Sequence, residues 1–298
     1  MSTKQRKRPV IFGEVLFDRF PDGTTVLGGA PFNVAWNLHA FGQAPVLISR
    51  IGDDALGNRI SAMMTEWSMD TRFVQVDTLH PTGTVNVSFH GSEPSYDIVA
   101  DSAYDFIEPV DSSAFDAAAI LYHGSLAMRG AISGRTLKAI VMRTTTPRFV
   151  DVNLREPWWQ RQEVLDLLRG AAWVKLNELE LAMLDPSDTS AADAGSDLWR
   201  RYELQGLILT RGSKGAEILS ADSNISVMPE RATQVIDTVG AGDAFASVVL
   251  LGLIQEWSLQ STLERAQSFA SAVVGLRGAT VMDMSFYKDF ARAWRLND

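Results

Sequence analysis

The sequence of 298 residues contains no cysteine, which excludes disulfide bonds and metal sites built on thiolates. Basic residues are in the minority, with 27 lysines and arginines against 36 aspartates and glutamates, and the net charge is −9. A nucleic-acid partner is therefore not expected. The longest apolar run, residues 244–254, is too short to cross a bilayer, and the first apolar segment reaches Asp18 too early for a signal peptide. These absences predict a cytoplasmic protein without a membrane partner.

Strand and helix patterns alternate along most of the chain, and the hydrophobic content of 46% is enough for a full core. This alternation predicts an α/β fold, in which a mostly parallel sheet has right-handed crossovers and helices on both faces. Strands are expected at residues 9–16, 44–51, 117–123, 149–153, 173–176 and 207–210.

The stretch from residue 71 to 107 has a different pattern. Short alternating runs are separated by turn residues, and no helical period is present. We expect antiparallel strands outside the main sheet. Two or three strands form a poor domain alone, so a flap over a binding site is the preferred interpretation.

A glycine-rich turn followed by a strongly apolar helix is the most informative segment. Gly240, Ala241 and Gly242 allow several backbone N–H groups to converge, and the helix that follows directs its positive end to the same point. Such a site suits a phosphate group. The segment lacks the GK[ST] of a P-loop, and Phe245 replaces the third glycine of a dinucleotide-binding turn. Asp243 either caps the helix or supplies a base next to the anion.

Several polar residues lie at or just past the carboxyl ends of predicted strands: Asp18, Asp151, Asn153, Arg155, Lys175, Asn177 and Glu178. Each alone could form a turn or cap a helix. Because the carboxyl ends of parallel strands share one edge, the set together favours a ligand site there. Asn33 and Asn37 lie one helical turn apart, where they could be solvated or could bind a polyol.

The chain resembles the ribokinase-like (PfkB) sugar kinases, whose signature is DTxGAGDxF. The matching residues are Asp237, Thr238, Gly240, Ala241, Gly242, Asp243 and Phe245. Residues 28–42 resemble the first signature of that family, and VDVNLREPWW resembles a stretch of fructokinases and 2-keto-3-deoxygluconate kinases. The resemblance implies a ribokinase-like three-layer fold. It also implies one kinase domain over residues 1–298, with a small β-lid from about 71–107 and part of 14–27.

The resemblance also implies roles for individual residues. Asp243 would be the catalytic base, and the backbone of Gly240, Ala241 and Gly242 would stabilise the transferred group. The substrate-binding residues would be Asp18, Gly28, Gly29, Asn33 and Arg155. The nucleotide-binding residues would be Lys175, Thr210, Gly212, Ser213 and Gly215. Asn177 and Glu180 would hold Mg²⁺ through waters, and Asp237 would mark a K⁺ site.

The implied activity is transfer of the γ-phosphoryl group of ATP to a sugar hydroxyl, with Mg²⁺, by an enzyme that forms a homodimer. Fructokinase is the first expectation and 2-keto-3-deoxygluconate kinase the alternative; a nucleoside kinase is disfavoured by NLREPWW. A non-catalytic sugar- or nucleotide-binding regulator is the alternative from another class. Few basic side chains occur in the regions assigned to the sugar, so a neutral ketohexose is expected rather than a phosphorylated sugar.

Overall fold

The structure is a computed structural model that describes residues 7–90, 93–186, 189–229, 238–276 and 278–296. Its strands are β1 (Arg8–Phe12), β2 (Leu16–Arg19), β3 (Thr25–Gly28), β4 (Val46–Gly52), β5 (Val74–Asp77), β6 (Gly83–His90), β7 (Glu93–Ile98), β8 (Ala118–His123), β9 (Arg148–Asp151), β10 (Trp173–Asn177), β11 (Gly206–Thr210), β12 (Ala216–Ser220) and β13 (Asn224–Val227). Its helices are α1 (Ala30–Ala40), α2 (Ala55–Glu66), α3 (Ala131–Arg143), α4 (Arg161–Leu168), α5 (Glu178–Leu184), α6 (Ala191–Arg201), α7 (Ala241–Ile254), α8 (Leu259–Val273) and α9 (Met284–Trp294).

The main sheet has nine strands in the order β13-β12-β11-β10-β9-β8-β1-β4-β5. Strands β11, β10, β9, β8, β1, β4 and β5 run parallel to one another. Strands β12 and β13 are antiparallel and form one edge. The predicted α/β class with a mostly parallel sheet is therefore confirmed.

Both faces of the main sheet are covered, as the strand sequences require. In β1, Ile11 packs with α1, α7 and α8, whereas Val10 and Phe12 point to the opposite face, which α3 covers. Successive side chains of a strand alternate between faces, so a strand made only of apolar residues needs a helix layer on each side. The result is a three-layer arrangement with the sheet in the middle.

The predicted first strand, residues 9–16, is wrong as a single element. The chain forms β1 up to Phe12, turns at Gly13, and then enters a different sheet as β2. Gly13 has φ of +145°, and a Cβ there would lie 2.5 Å from Cγ of Pro31. A residue with a side chain could not make this turn, so the apolar run is divided between two sheets.

The second sheet has four strands in the order β3-β2-β6-β7, and we call it the small sheet. Strand β2 runs parallel to β6, while the β2–β3 and β6–β7 pairs are antiparallel. Strands β6 and β7 come from the stretch in which antiparallel strands were predicted. Strand β5, from the same stretch, instead extends the main sheet beside β4, and this part of the prediction is wrong.

Helices α5 and α6 were not anticipated from the sequence. Helix α5 starts with Asn177 as its cap and is only seven residues long, so it shows little periodicity. Across the described part of the chain, no helix is both long enough and apolar enough to span a membrane.

The side chain of Asn37 is buried in the core, which contradicts the suggestion that it binds a polyol. Its Oδ1 accepts a hydrogen bond of 2.8 Å from the hydroxyl of Tyr287, and both residues are fully buried. Tyr287 belongs to an aromatic cluster with Phe41 and Phe269 that joins α1, α8 and α9. Asn37 therefore anchors α9 and does not face a ligand.

Replacing Tyr287 by Phe leaves the amide oxygen of Asn37 buried without its donor. We expect the free energy of unfolding to fall by about 1–3 kcal/mol, measured by urea denaturation. Tyr202→Phe is the control, because that half-buried hydroxyl makes no hydrogen bond within the described residues. The control should change stability by less than about 0.5 kcal/mol. Equal losses in the two variants would show that the buried hydrogen bond contributes nothing.

Candidate active site

A cleft of about 410 Å³ lies between the main sheet, the small sheet and the first turn of α7. It is found where an open α/β sheet binds its ligands, outside the carboxyl ends of the parallel strands. The sequence-predicted residues that line it are Asp18, Gly28, Gly29, Asn33, Arg155, Lys175, Gly240, Gly242 and Asp243. Residues more than 200 positions apart in the chain thus meet in one place.

The first turn of α7, where an anion-binding site was predicted, lines the cleft. Gly240 caps the helix in the left-handed region with φ of +79°, and the space that a Cβ would need there is filled by Ala279. Ala241 and Gly242 follow as the first helical residues. The first N–H groups of a helix have no partner within it, and in α7 they lie at the cleft.

Asp243 is held beside this turn by α1. Its Oδ2 accepts a hydrogen bond of 2.7 Å from Nδ2 of Asn33. Burial raises the pKa of Asp243, and the bond from Asn33 and the charges of Lys175 and Arg155 oppose this rise only in part. A carboxylate with a raised pKa is a better proton acceptor than an ordinary aspartate, provided that it is still ionised at the working pH.

A buried ion pair lies behind the glycine turn. Nζ of Lys175 is 2.8 Å and 3.0 Å from the two carboxylate oxygens of Asp151, which also accept a bond of 3.2 Å from the hydroxyl of Tyr122. Burial lowers the pKa of Lys175, but Asp151 and Glu180 outweigh this effect and the pKa is raised. The lysine is therefore a permanent cation. Its Nζ would be 3.6 Å from a Cβ on Gly242, so its charge is adjacent to the anion-binding turn.

Asn177 and Glu180 form a reciprocal capping box at the start of α5. Oδ1 of Asn177 accepts from the N–H of Glu180, and Oε2 of Glu180 accepts from the N–H of Asn177. Oε1 of Glu180 accepts a further bond of 2.9 Å from the N–H of Leu154. These contacts fix both side chains at the sheet edge. They leave lone pairs on the carboxylate for water.

The predicted nucleotide loop follows β11, next to β10 in the main sheet. Thr210 pairs in register with Asn177, whereas Gly212 and Ser213 are exposed and do not line the cleft. Gly215 has φ of +91°, and a Cβ there would collide with the carbonyl of Val227. The loop therefore lies beside the cleft along the same edge. Its contact with a nucleotide stays a prediction, and the K⁺ position suggested for Asp237 lies outside the described residues.

The glycines that face the small sheet are required by close packing. Gly29 caps α1 with φ of +103°, and a Cβ there would lie 2.7 Å from the carbonyl oxygen of Glu14. A Cβ on Gly28 would lie 3.6 Å from Oδ2 of Asp18. Asp18 itself is within β2, rather than just past the end of the first strand as predicted. The small sheet, not the main sheet, brings it to the cleft.

Sequence reasoning did not assign a role to Glu14, which also lines the cleft and is 3% exposed. An acid inside the apolar run of residues 9–16 was the available signal. The Asp151–Lys175 pair was also missed, although the two residues are opposite each other in neighbouring parallel strands. A larger cavity of about 730 Å³ lies between α3 and α4 and is lined by none of the predicted catalytic residues.

Helix-terminal N–H groups, a fixed cation and a carboxylate with a raised pKa at one point are the equipment that a phosphoryl-transfer enzyme uses. The model of the pfkB family of carbohydrate kinases matches residues 6–285. The chain belongs to this family, and the expected class, an ATP-dependent carbohydrate kinase, is confirmed.

The chain is similar to known fructokinases. It is 31% identical over 300 residues to the fructokinase of Klebsiella pneumoniae, covering 94% of this chain and 96% of that protein. The structure of the Xylella fastidiosa fructokinase with bound ATP has a TM-score of 0.86 at 23% identity, over 97% of this chain and 99% of that one. A Vibrio cholerae fructokinase structure with fructose, ADP and calcium ion has a TM-score of 0.79 at 24% identity, over 95% and 98% of the two chains. The last two comparisons establish the fold only.

Gly240→Ala should disrupt the anion-binding turn, because its Cβ would occupy the space of Ala279. Gly42→Ala is a matched control, since Gly42 has a similar φ of +77° and no atom of the described residues lies within 4 Å of a Cβ there. The free energy of unfolding of Gly42→Ala should fall by about 1 kcal/mol, from backbone strain alone. Gly240→Ala should lose about 1–3 kcal/mol more through overpacking.

Kinase activity should fall only in Gly240→Ala. Thermal denaturation and ATP turnover measure the two effects. Equal stability and activity in the two variants would contradict the tight packing of the turn against Ala279.

Proposed function

We propose that this protein transfers the γ-phosphoryl group of ATP to a hydroxyl of a neutral ketohexose, with fructose as the first candidate. The observation that carries the proposal is the position of Asp243, whose carboxylate is partly buried beside the helix-terminal N–H groups of α7. A bare anion site would exclude a carboxylate. A site in which an acceptor hydroxyl must lose its proton next to a phosphoryl group requires one.

In the proposed reaction, Asp243 accepts the proton of the acceptor hydroxyl, and Asn33 orients the carboxylate through its bond of 2.7 Å. The N–H groups at the start of α7 stabilise the negative charge on the moving phosphoryl group. Lys175 adds a positive charge behind the same turn. The contacts with Asn33 and Asp151 hold Asp243 and Lys175 in place, so little reorganisation would be needed during the transfer.

We propose that Mg²⁺ arrives with ATP and is held through waters by Asn177 and Glu180. Within the described residues no cluster of three or more acidic, histidine or cysteine side chains could hold a metal alone. This fits Mg²⁺, which keeps several waters and relies on substrate phosphates. The ion would neutralise charge on the phosphates. The predicted K⁺ requirement, the homodimer and the cytoplasmic location stay predictions.

The acceptor would bind between the small sheet and α1. Asp18, Asn33 and the backbone at Gly28 and Gly29 supply polar groups there. The assignment of fructose is supported by the similarity to the Klebsiella fructokinase. Of the two cations that line the described cleft, Lys175 is paired with Asp151, and only Arg155 is without an ion pair among the described residues.

A second acceptor is favoured by Arg155. An acid sugar such as 2-keto-3-deoxygluconate carries a carboxylate, which an arginine binds well. Arg155 is exposed, lines the cleft and is therefore accessible to such a group. This acceptor is the alternative candidate.

Asp243→Asn tests the proposed base. The amide cannot accept the proton, so kcat should fall by about two to four orders of magnitude. Binding of ATP and sugar, measured by calorimetry, should remain. The control is Asp222→Asn in the exposed turn between β12 and β13, which should keep full activity. Turnover of Asp243→Asn close to that of the wild type would exclude Asp243 as the base.

The acceptor is tested by comparing kcat/KM for fructose, 2-keto-3-deoxygluconate, fructose 6-phosphate, ribose and adenosine at saturating Mg·ATP. Fructose should give the highest value, because one unpaired arginine offers little to a phosphorylated sugar. If 2-keto-3-deoxygluconate or fructose 6-phosphate exceeds fructose tenfold or more, the acceptor assignment is wrong, although the kinase mechanism stands. If no ATP is consumed with any of these acceptors, the protein would instead fit a binding regulator.

A further inference from the structure

Glu14 is a buried acid in the cleft that the proposed reaction does not use. It lies in the connection between β1 and β2, is 3% exposed and lines the cleft. Its Oε2 is buried and has no hydrogen-bond partner within the described part of the chain. A carboxyl oxygen buried without a partner is costly to the folded protein. Stability therefore does not explain its presence at this position.

Asp18 on β2 and Lys175 on β10 line the same cleft as Glu14, and the charged and titratable groups with the largest mutual influence on Glu14 come from five further segments. They are Arg155 after β9, Asp243 on α7, Arg129 before α3, Tyr104 in the turn over Ala103–Phe106, and Tyr122 on β8. Arg129 is already bound to Asp105, with Nε 2.8 Å from Oδ1. Arg155 has no ion pair among the described residues, so it is the cation on which the charge of Glu14 has most effect.

Burial raises the pKa of Glu14 to about 7, and Asp243 adds to the rise, while Arg155 and Arg129 oppose it. The side chain is therefore mostly neutral at pH 6 and mostly ionised at pH 8. The charge in the cleft changes within the range in which a kinase is assayed.

We propose that Glu14 determines the charge selectivity of the acceptor pocket, offsetting Arg155 and disfavouring acceptors that carry a carboxylate. This inference rests on the proposed function and names a residue that selects its substrate class. The ionised carboxyl reduces the positive potential that Arg155 alone would create. An acid sugar then gains little from Arg155, whereas a neutral sugar is unaffected.

The test is the ratio of kcat/KM for 2-keto-3-deoxygluconate to kcat/KM for fructose, measured at pH 8 for the wild type, Glu14→Gln and Glu66→Gln. Glu66 is an exposed residue at the end of α2 that does not line the cleft. Glu14→Gln should raise the ratio by about tenfold, the effect of one charge across a partly shielded site. Glu66→Gln should leave the ratio unchanged.

The wild type provides a second test that needs no variant. Lowering the pH from 8 to 6 protonates Glu14, while the substrate carboxylate stays ionised. The ratio should therefore rise as the pH falls, and it should be independent of pH in Glu14→Gln. Effects of pH on Asp243 act on both acceptors alike and cancel in the ratio. A purely structural role of Glu14 would not produce this pattern.

Each outcome is decisive for one of the two proposals. A wild type that phosphorylates none of the sugars refutes the proposed function, and the role of Glu14 with it. An active wild type whose ratio responds neither to pH nor to Glu14→Gln refutes only the role of Glu14. If Glu14→Gln does not fold, a constant ratio between pH 6 and 8 in the wild type overturns the inference by itself.

Discussion

The hydrogen bond between Asn33 and Asp243 is the contact on which the candidate active site depends. It joins the first turn of α1 to the first turn of α7, across 210 positions of the chain, at 2.7 Å. Both helices begin at a glycine with a positive φ, Gly29 and Gly240. Each glycine is required because a Cβ would collide with neighbouring chain, the carbonyl of Glu14 in one case and Ala279 in the other. The two helix starts are thereby fixed relative to each other, and so is the carboxylate between them.

The electrostatic design of the cleft follows from burial. Asp151 neutralises Lys175 within the core, which allows a lysine that is 7% exposed to keep its charge beside the glycine turn. A buried pair of this kind is weak evidence for stability, since the loss of hydration offsets the attraction. Its value lies in supplying a fixed positive charge close to the point where a phosphoryl group would bind. The same burial raises the pKa values of Asp243 and Glu14.

The small sheet gives the cleft its second wall. Its strands come from two separated parts of the sequence, β2 and β3 before α1, and β6 and β7 after β5. The parallel pairing of β2 with β6 brings Asp18 opposite Val85, and the antiparallel pairing of β2 with β3 brings Gly28 next to Asp18. This wall would shield the proposed acceptor from water. This matters for a kinase because water competes with the sugar for the phosphoryl group.

The sequence by itself determined the fold class and the start of α7 with its carboxylate. Alternating apolar strands and helices predict a parallel sheet, and the run Gly240-Ala241-Gly242-Asp243 predicts the helix start with its carboxylate, because both signals are local. Tertiary structure decided the rest. The apolar run of residues 9–16 is divided into two strands because Gly13 packs against Pro31. Strand β5 belongs to the main sheet because it pairs with β4. Asn33 and Asn37 look alike in sequence, and only their partners distinguish them. Asn37 bonds to Tyr287 in the core, whereas Asn33 bonds to Asp243 in the cleft. The charge state of Glu14 likewise exists only after folding, since it arises from the loss of water around a side chain whose neighbours are remote in the chain.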